Sequence, residues 1–436
     1  MRNSVIRITA AWLAPALLLT PIATVAGELA ALLPPEQNVV MVLTNSPAYL
    51  ATLSSIDAAR SVHRQLQVGP HEWIGSASVA RRRESSPQAE TTREWELGLD
   101  RTVRLPGKAQ AYDNAGQARV EQAAAERAKV WREQARRLLE LQRDWLRESE
   151  SARVWAMQLK LLRQQSDSVA KRRRLGDAAR IEQQQSEAAL VQARAQADSA
   201  SRRSSAVHEA LGRQFPGLPA IQRIAIPAPQ PLARSDEQWL DAQIERDPQL
   251  QLARAEVQNA RAQLRVESAE TRPDPTLGLR VGRARSGVEE YVGVVVSVPF
   301  GGAYRRAGAA AATARASAAE QQLDHAQRSA EADAVLRLRE ARTAYSSWLG
   351  NQDAAQRLAA AATSLARGYQ LGEGSLSDVL TARRLANEQQ LAASVGAVDA
   401  WMSRIRLEIE SGMLWTDPNP VTSNASNAPP GLPIKQ

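Results

Sequence analysis

The sequence predicts a mainly α-helical chain with a small β part, laid down twice along its length. Three observations carry that prediction. No proline occurs between Pro106 and Pro216 or between Pro299 and Pro418, and proline-free blocks of that size call for long helices. Ahead of each block the hydrophobic pattern changes to an alternation of period two, the mark of strands. The same landmarks then recur in one order in both halves, which indicates an internal duplication.

Composition supports helices packed through small residues. Of 436 residues only 4% are aromatic, with two Phe, while apolar content is an ordinary 44%. Alanine fills the gap in runs such as Ala123 to Ala125 and Ala309 to Ala312. The absence of cysteine excludes disulfides, thiolate metal sites and cysteine catalysis. Four scattered histidines, His63, His71, His208 and His325, do not make a multi-histidine metal site, and no metal or cofactor is expected. The formal charge of +8 is spread thinly over a chain that is 23% charged, a weak pointer to nucleic acid or an anionic membrane surface, and no nucleic-acid partner is expected. No phosphate-loop or His-Glu-x-x-His motif is present, and no enzymatic activity is expected.

At the start, Arg2 and Arg7 precede an apolar stretch broken by Pro15 and Pro21 and ending in Ala23-Thr24-Val25-Ala26-Gly27. This has the form of a secretory signal peptide over residues 1–26; a retained anchor fits less well, because the prolines interrupt the apolar run. The best apolar run downstream, residues 292–300, holds Gly293, Ser297 and Pro299. A chain of this kind that crosses a membrane does so as β-strands.

The first repeat is expected at residues 35–213 and the second at 235–412, joined by a Pro-rich linker at 214–234 and followed by a disordered tail at 416–436. Asn45-Ser46-Pro47 opens one helical stretch and Arg246-Asp247-Pro248 another. Arg104-Leu105-Pro106-Gly107-Lys108 answers to Ser297-Val298-Pro299-Phe300-Gly301, and Leu175-Gly176-Asp177 to Leu371-Gly372-Glu373. In each repeat a helix (residues 35–70; 235–270) leads to a hairpin (72–104; 275–299), then a long helix (108–170; 304–367), a tip (175–177; 371–375) and a returning helix (178–213; 376–410). At about 1.5 Å per residue the first long helix spans roughly 95 Å, and its two shorter partners, about 54 Å each, together match it end to end. Seven-residue seams, Trp131-Leu138-Trp145-Ala152-Leu159 and Ala334-Ala341-Trp348-Ala355-Ala362, make helices pack side by side.

The strands show in the alternation of Trp95, Leu97, Leu99 and Val103 with Glu94, Glu96, Gly98, Asp100 and Thr102. It returns in Leu277, Leu279 and Val281 and in Val292, Val294, Val296 and Val298, with a fainter strand from Trp73. Such alternation suits a half-buried sheet on a soluble domain. Export, charged loops such as Arg81-Arg82-Arg83-Glu84 and aromatics near strand ends (Trp73, Trp95, Tyr291) suit a lipid-facing barrel wall instead. Four strands cannot close a barrel, since about eight are needed, so several chains would contribute.

The duplicated order of helix, hairpin, long helix, tip and helix, with the tip segment Gly368-Tyr369-Gln370-Leu371-Gly372-Glu373-Gly374-Ser375-Leu376-Ser377-Asp378-Val379-Leu380, resembles the TolC family of outer-membrane efflux proteins over nearly all of the mature chain. The resemblance implies a homotrimer in which three hairpin pairs form a twelve-stranded outer-membrane β-barrel, set in outer-membrane lipid and continued by an α-helical periplasmic tunnel. It implies a passive exit duct whose tips dock on a periplasmic adaptor protein and an inner-membrane pump. Arg93-Glu94-Trp95-Glu96-Leu97-Gly98-Leu99 with Arg104-Leu105-Pro106-Gly107-Lys108 is most similar to the branch serving heavy-metal cation pumps.

By that resemblance Leu175, Gly176, Asp177, Leu371, Gly372 and Glu373 are adaptor-docking tips, while the glycines also serve to end helices in a left-handed conformation. Asp378 matches a carboxylate lining the periplasmic aperture; Ser375-x-x-Asp378 reads equally as a capping box. Thr381 and Gly374 depart from the family's pattern there. Lys171-Arg172-Arg173-Arg174 complements a helix dipole or forms a partner-binding patch, and Arg81-Arg82-Arg83 is a solvated loop or a binder of lipopolysaccharide phosphates. The remaining functional reading is a soluble periplasmic or surface coiled-coil scaffold, whose positive charge leaves nucleic acid open as a ligand.

Overall fold

The computed structural model describes residues 32–83, 91–219 and 225–419. The expected signal peptide, part of the linker and residues 420–436 of the expected tail lie outside them. Eight α-helices and one four-stranded sheet are present among the described residues: α1 (Glu36–Thr44), α2 (Pro47–Val68), β1 (Trp73–Arg83), β2 (Thr91–Thr102), α3 (Lys108–Arg174), α4 (Arg180–Gln214), α5 (Asp236–Glu245), α6 (Pro248–Glu270), β3 (Thr276–Ala284), β4 (Glu289–Ser297), α7 (Ala303–Gln370) and α8 (Leu376–Glu410). The 67 residues of α3 and the 68 of α7 run unbroken, as chains free of proline and rich in Ala, Arg, Glu and Gln can.

The helices expected ahead of each hairpin are each two helices. Pro47 has no N–H to continue α1 and sits at the first position of α2, where Ser46 Oγ accepts the Tyr49 N–H at 3.3 Å. The axes of α1 and α2 differ by 57°. Asp247 and Pro248 repeat the device, the Asp247 carboxylate accepting the Leu250 N–H at 2.9 Å.

The helices form a wall. On the strand side of its middle α2, α3, α6 and α7 pack in that order, and on the tip side α4, α3, α8 and α7 do, so the two long helices are shared between both halves. The second seam is buried throughout at Ala334, Ala341, Trp348, Ala355 and Ala362. The first is buried at Trp131, Leu138 and Trp145, after which Ala152 and Leu159 turn half outward and Val154, Leu162 and Val169 take over.

The largest core lies where α1, α2, α4 and α8 meet the middle of α3: Val39, Leu43, Tyr49, Trp131, Leu138, Trp145, Phe215, Trp401, Ile405 and Trp415 are buried together. Burying each such side chain contributes about 1.5–3 kcal/mol. Trp131 Nε1 donates to the Trp415 carbonyl at 2.8 Å, and Arg127 pairs with Asp417 at 3.2 Å. The expected disordered tail therefore does not begin at 416: Asp417 and Asn419 are tied to Tyr49 by hydrogen bonds of 3.2 and 3.0 Å. Trp401 Nε1 likewise holds the linker through the Pro227 carbonyl at 2.8 Å.

Among the described residues no single helix is long and apolar enough to cross a bilayer. The sheet is antiparallel in the order β1-β2-β3-β4, so β2 and β3 join the two repeats and β1 and β4 are open edges.

Candidate functional site

The register of the four strands sorts their side chains into two faces. On one face Trp73, Arg101, Leu277 and Val296 form a row across the sheet, followed by Gly75, Leu99, Leu279 and Val294, then Ala77, Leu97, Val281 and Val292, then Val79, Trp95 and Arg283. The apolar side chains of these rows are exposed: Val79 is 84% accessible, Val294 77%, Trp73 61% and Leu97 53%. On the other face lie Glu94, Glu96, Asp100, Thr102, Thr276 and Arg280. There Arg280 grips Asp100 with two bonds of 2.8 and 2.9 Å, and Thr102 meets Thr276 at 2.9 Å. In β2 the polar positions are the half-buried ones and the apolar positions the exposed ones. A sheet in water does the reverse.

Trp73 and Trp95 stand on the apolar face, near its two ends. Tyr291 does not. It lies opposite Gly282 on the polar face and donates its hydroxyl to Glu96 at 2.8 Å. Its place in the alternation, one residue before Val292, already carried that information.

Where strands become helices, the backbone turns on Gly107 and Gly302, with φ of +87° and +89°, a conformation that glycine adopts without strain. Sequence reasoning missed the charged clamp beneath the first turn. Lys108 is buried against Glu270 (3.1 Å) and Asp274 (3.0 Å), Asp274 accepts the Leu105 N–H, and Tyr112 donates to Glu270 at 3.0 Å. Burial, with Glu270 beside it, pushes the Tyr112 hydroxyl up to about 12. These partners sit in different repeats, so no local pattern shows them.

At the opposite end the two tips are built alike. Gly176 (φ +86°) donates to the Arg173 carbonyl and Asp177 to that of Arg172; Gly372 (φ +84°) donates to Tyr369 and Glu373 to Gly368. This double bond pattern closes both helices with a left-handed glycine. Leu175 and Leu371 are left 78% and 72% exposed. The tips lean on each other through Val169, Ala178, Tyr369, Leu376 and Val379. Tyr369 donates to Glu182 at 3.2 Å and carries the Arg172 guanidinium over its ring at 5.1 Å. Of the basic run, Lys171, Arg173 and Arg174 are exposed.

Asp378 is exposed in the first turn of α8. Ser375 Oγ accepts its N–H at 3.2 Å and donates to its carboxylate at 2.8 Å, so the helix cap is formed. Among the described residues no cluster of three or more His, Asp or Glu side chains is arranged to hold a metal ion.

Near mid-length, Glu410 at the end of α8 is 2% exposed and meets Arg136 Nε at 2.5 Å and Arg132 at 3.5 Å. Burial opposes its charge, but Arg136, Arg132 and Arg337 together hold the carboxyl below the usual range.

No family model matches the chain, and no curated protein matches it in sequence. Solved structures do match in fold. The outer membrane protein VceC of Vibrio cholerae is 16% identical with a TM-score of 0.70, over 86% of this chain and 96% of that one. The open state of the Neisseria gonorrhoeae MtrE outer membrane channel is 15% identical with a TM-score of 0.63, over 88% and 91%. CusC, studied for its transmembrane channel formation, is 17% identical with a TM-score of 0.57, over 84% and 91%. The chain has the fold of these channels, with a helical wall and four strands of a β-barrel.

Proposed function

We propose that the chain is one protomer of a trimeric outer-membrane channel of the TolC family, a passive duct that carries an efflux system's cargo across the periplasm and the outer membrane. The observation that carries this reading is the four-stranded sheet with an exposed apolar face, a polar opposite face and two open edges. An open edge of unpaired N–H and C=O groups in lipid is too costly to persist, so β1 of one chain pairs with β4 of the next. Three copies give twelve strands around a polar lumen, and the helical walls continue the lumen into the periplasm.

The likeness in fold to VceC, MtrE and CusC supports the same reading. In this arrangement the exposed Leu175 and Leu371 with their glycine turns receive a periplasmic adaptor that links the duct to an inner-membrane pump, and Asp378 contributes to a ring of three carboxylates at the periplasmic aperture. Heavy-metal cations are the proposed cargo class, on the likeness of Arg93-to-Leu99 and Arg104-to-Lys108 to the branch serving heavy-metal cation pumps. The chain does no chemistry on the cargo; selection is the pump's. The soluble scaffold reading leaves the rows of exposed Val, Leu and Trp without a purpose.

Planar-bilayer recording with the purified chain tests the proposal. Stable, cation-preferring conductance steps are expected; a chain that inserts no conductance contradicts it.

A further inference from the structure

The outward face of the sheet ends, beyond Trp95 and Val79, in arginine. Arg81 on β1 stands directly across from Arg93 on β2, and each lies two residues beyond the row that holds Val79 and Trp95. By strand alternation both point to the same side as the exposed apolar rows, and both are exposed, as are Arg83, two residues further on, and Arg283 in the Trp95 row. Arg82, between them, points the other way and pairs with Glu94 at 3.1 Å. Arg283 pairs with Glu290. Among the described residues Arg81, Arg83 and Arg93 have no carboxylate partner.

Like charges facing each other across an antiparallel pair destabilise it. The arrangement becomes favourable when an anion sits between the two guanidiniums, whose planar forks suit phosphate oxygens. Height decides which anion. From Val103 to Arg93 the outward face runs about 33 Å along the strand at about 3.3 Å per residue, which a tilt of about 40° reduces to about 25 Å of height, the height of the apolar band of an outer-membrane barrel. The arginine row therefore falls at the edge of the hydrocarbon, at the headgroups of the outer leaflet, where long arginine side chains reach polar groups.

We propose that Arg81 and Arg93, with Arg83 beside them, form a binding site for the phosphate group of a phosphorylated lipid in the outer leaflet. The site rests on the barrel reading above and adds to it a specific lipid partner. Bound lipid removes the repulsion between β1 and β2 and so braces an edge strand of the barrel at the seam between chains.

The test uses the full chain, purified as the trimer in a neutral detergent. Its thermal unfolding is measured with a bis-phosphorylated glycolipid, with the same glycolipid after dephosphorylation, and with inorganic phosphate alone. The phosphorylated lipid is expected to raise the unfolding temperature of the natural chain and of R82A by several degrees, and the other two additives to leave it unchanged. In the R81A/R93A chain the rise is lost, while without lipid it unfolds at or above the natural temperature because the like-charge contact is gone. An equal rise in R81A/R93A, or an equal rise with the dephosphorylated lipid, overturns the site. A rise with inorganic phosphate alone overturns the assignment to a lipid. Membrane fractionation and native mass of the same preparations read the barrel separately: a chain that is not a membrane trimer refutes that reading, whereas a trimer that ignores the phosphorylated lipid refutes only the site.

Discussion

Gly176 and Gly372 hold the same backbone conformation at corresponding points of the two repeats, φ +86° and +84°, and at each an added Cβ would meet nothing within 4 Å. Space is therefore open while the backbone angle is restrictive. A β-branched residue there costs about 1–2 kcal/mol for the left-handed conformation, enough to remodel the turn without unfolding the 67 residues of α3 or the 68 of α7. Gly372→Val should leave trimers in the outer membrane and lower export at least several-fold in a resistance or efflux assay. Full export by that variant would remove the tip from the docking account.

Asp378 has two roles that one substitution separates. The Ser375 hydroxyl accepts the backbone N–H of residue 378 whatever its side chain, so Asp378→Asn keeps the cap and changes thermal stability by less than about 0.5 kcal/mol. Its carboxylate is lost, so the cation preference of the channel in planar bilayers should fall. Unchanged preference would leave Asp378 as a helix cap alone.

Adjacent residues of β2 should respond in opposite ways. Leu97 is 53% exposed on the apolar face and Glu96 is on the polar face beside Tyr291. Arginine at a lipid-facing midplane position costs about 2–4 kcal/mol. Leu97→Arg should cut the yield of trimer in the outer membrane sharply, whereas Glu96→Gln should insert normally. Equal yields would mean that the exposed rows do not face lipid.

A buried carboxylate, Glu410, and a half-buried one, Asp399, predict different pH behaviour. The Glu410 carboxyl is held low, so its contribution is fully present above the ordinary carboxylate value of about 4.3 and is lost as pH falls through its folded value. Glu410→Gln leaves Arg132 and Arg136 without their acid and should cost about 3 kcal/mol at neutral pH, with the difference from the natural chain shrinking below about pH 4. Burial raises Asp399 despite Arg147 at 2.6 Å. Its ionised form is disfavoured in the fold, so any stability it adds is present at low pH and lost as pH rises. Asp399→Asn should be near neutral at pH 7. Thermal unfolding of both variants across pH checks the pair, and a larger loss at neutral pH from Asp399→Asn than from Glu410→Gln would reverse the assignment.

Much of the fold was legible because it is written in local periodicity. Leu97, Leu99, Leu277 and Leu279 announce strands by parity, and the freedom from proline announces α3 and α7. The breaks at Pro47 and Pro248 were legible too, since Asn45-Ser46-Pro47 and Arg246-Asp247-Pro248 read as helix openings, yet the spans 35–70 and 235–270 took each pair of helices as one. The Lys108 clamp, the Arg cluster around Glu410 and the grip of Arg127 on Asp417 were not legible, because each joins residues far apart in sequence and only the packed wall brings them together. Tyr291 shows the opposite failure: an aromatic at a strand end was assigned to the lipid, although alternation with Val292 placed it on the other face. At the tips, the glycine turns follow from sequence, while the lean of Tyr369 onto Glu182 and Arg172 follows from the packing of two repeats.

The most direct test of the central claim is the location and native mass of the expressed chain. A protein found in the outer-membrane fraction, released by detergent as a particle of three chains, is the predicted result, because only shared closure removes the open edges of β1 and β4. A chain that extracts without detergent as a monomer or dimer would contradict the account and make the sheet an ordinary soluble one.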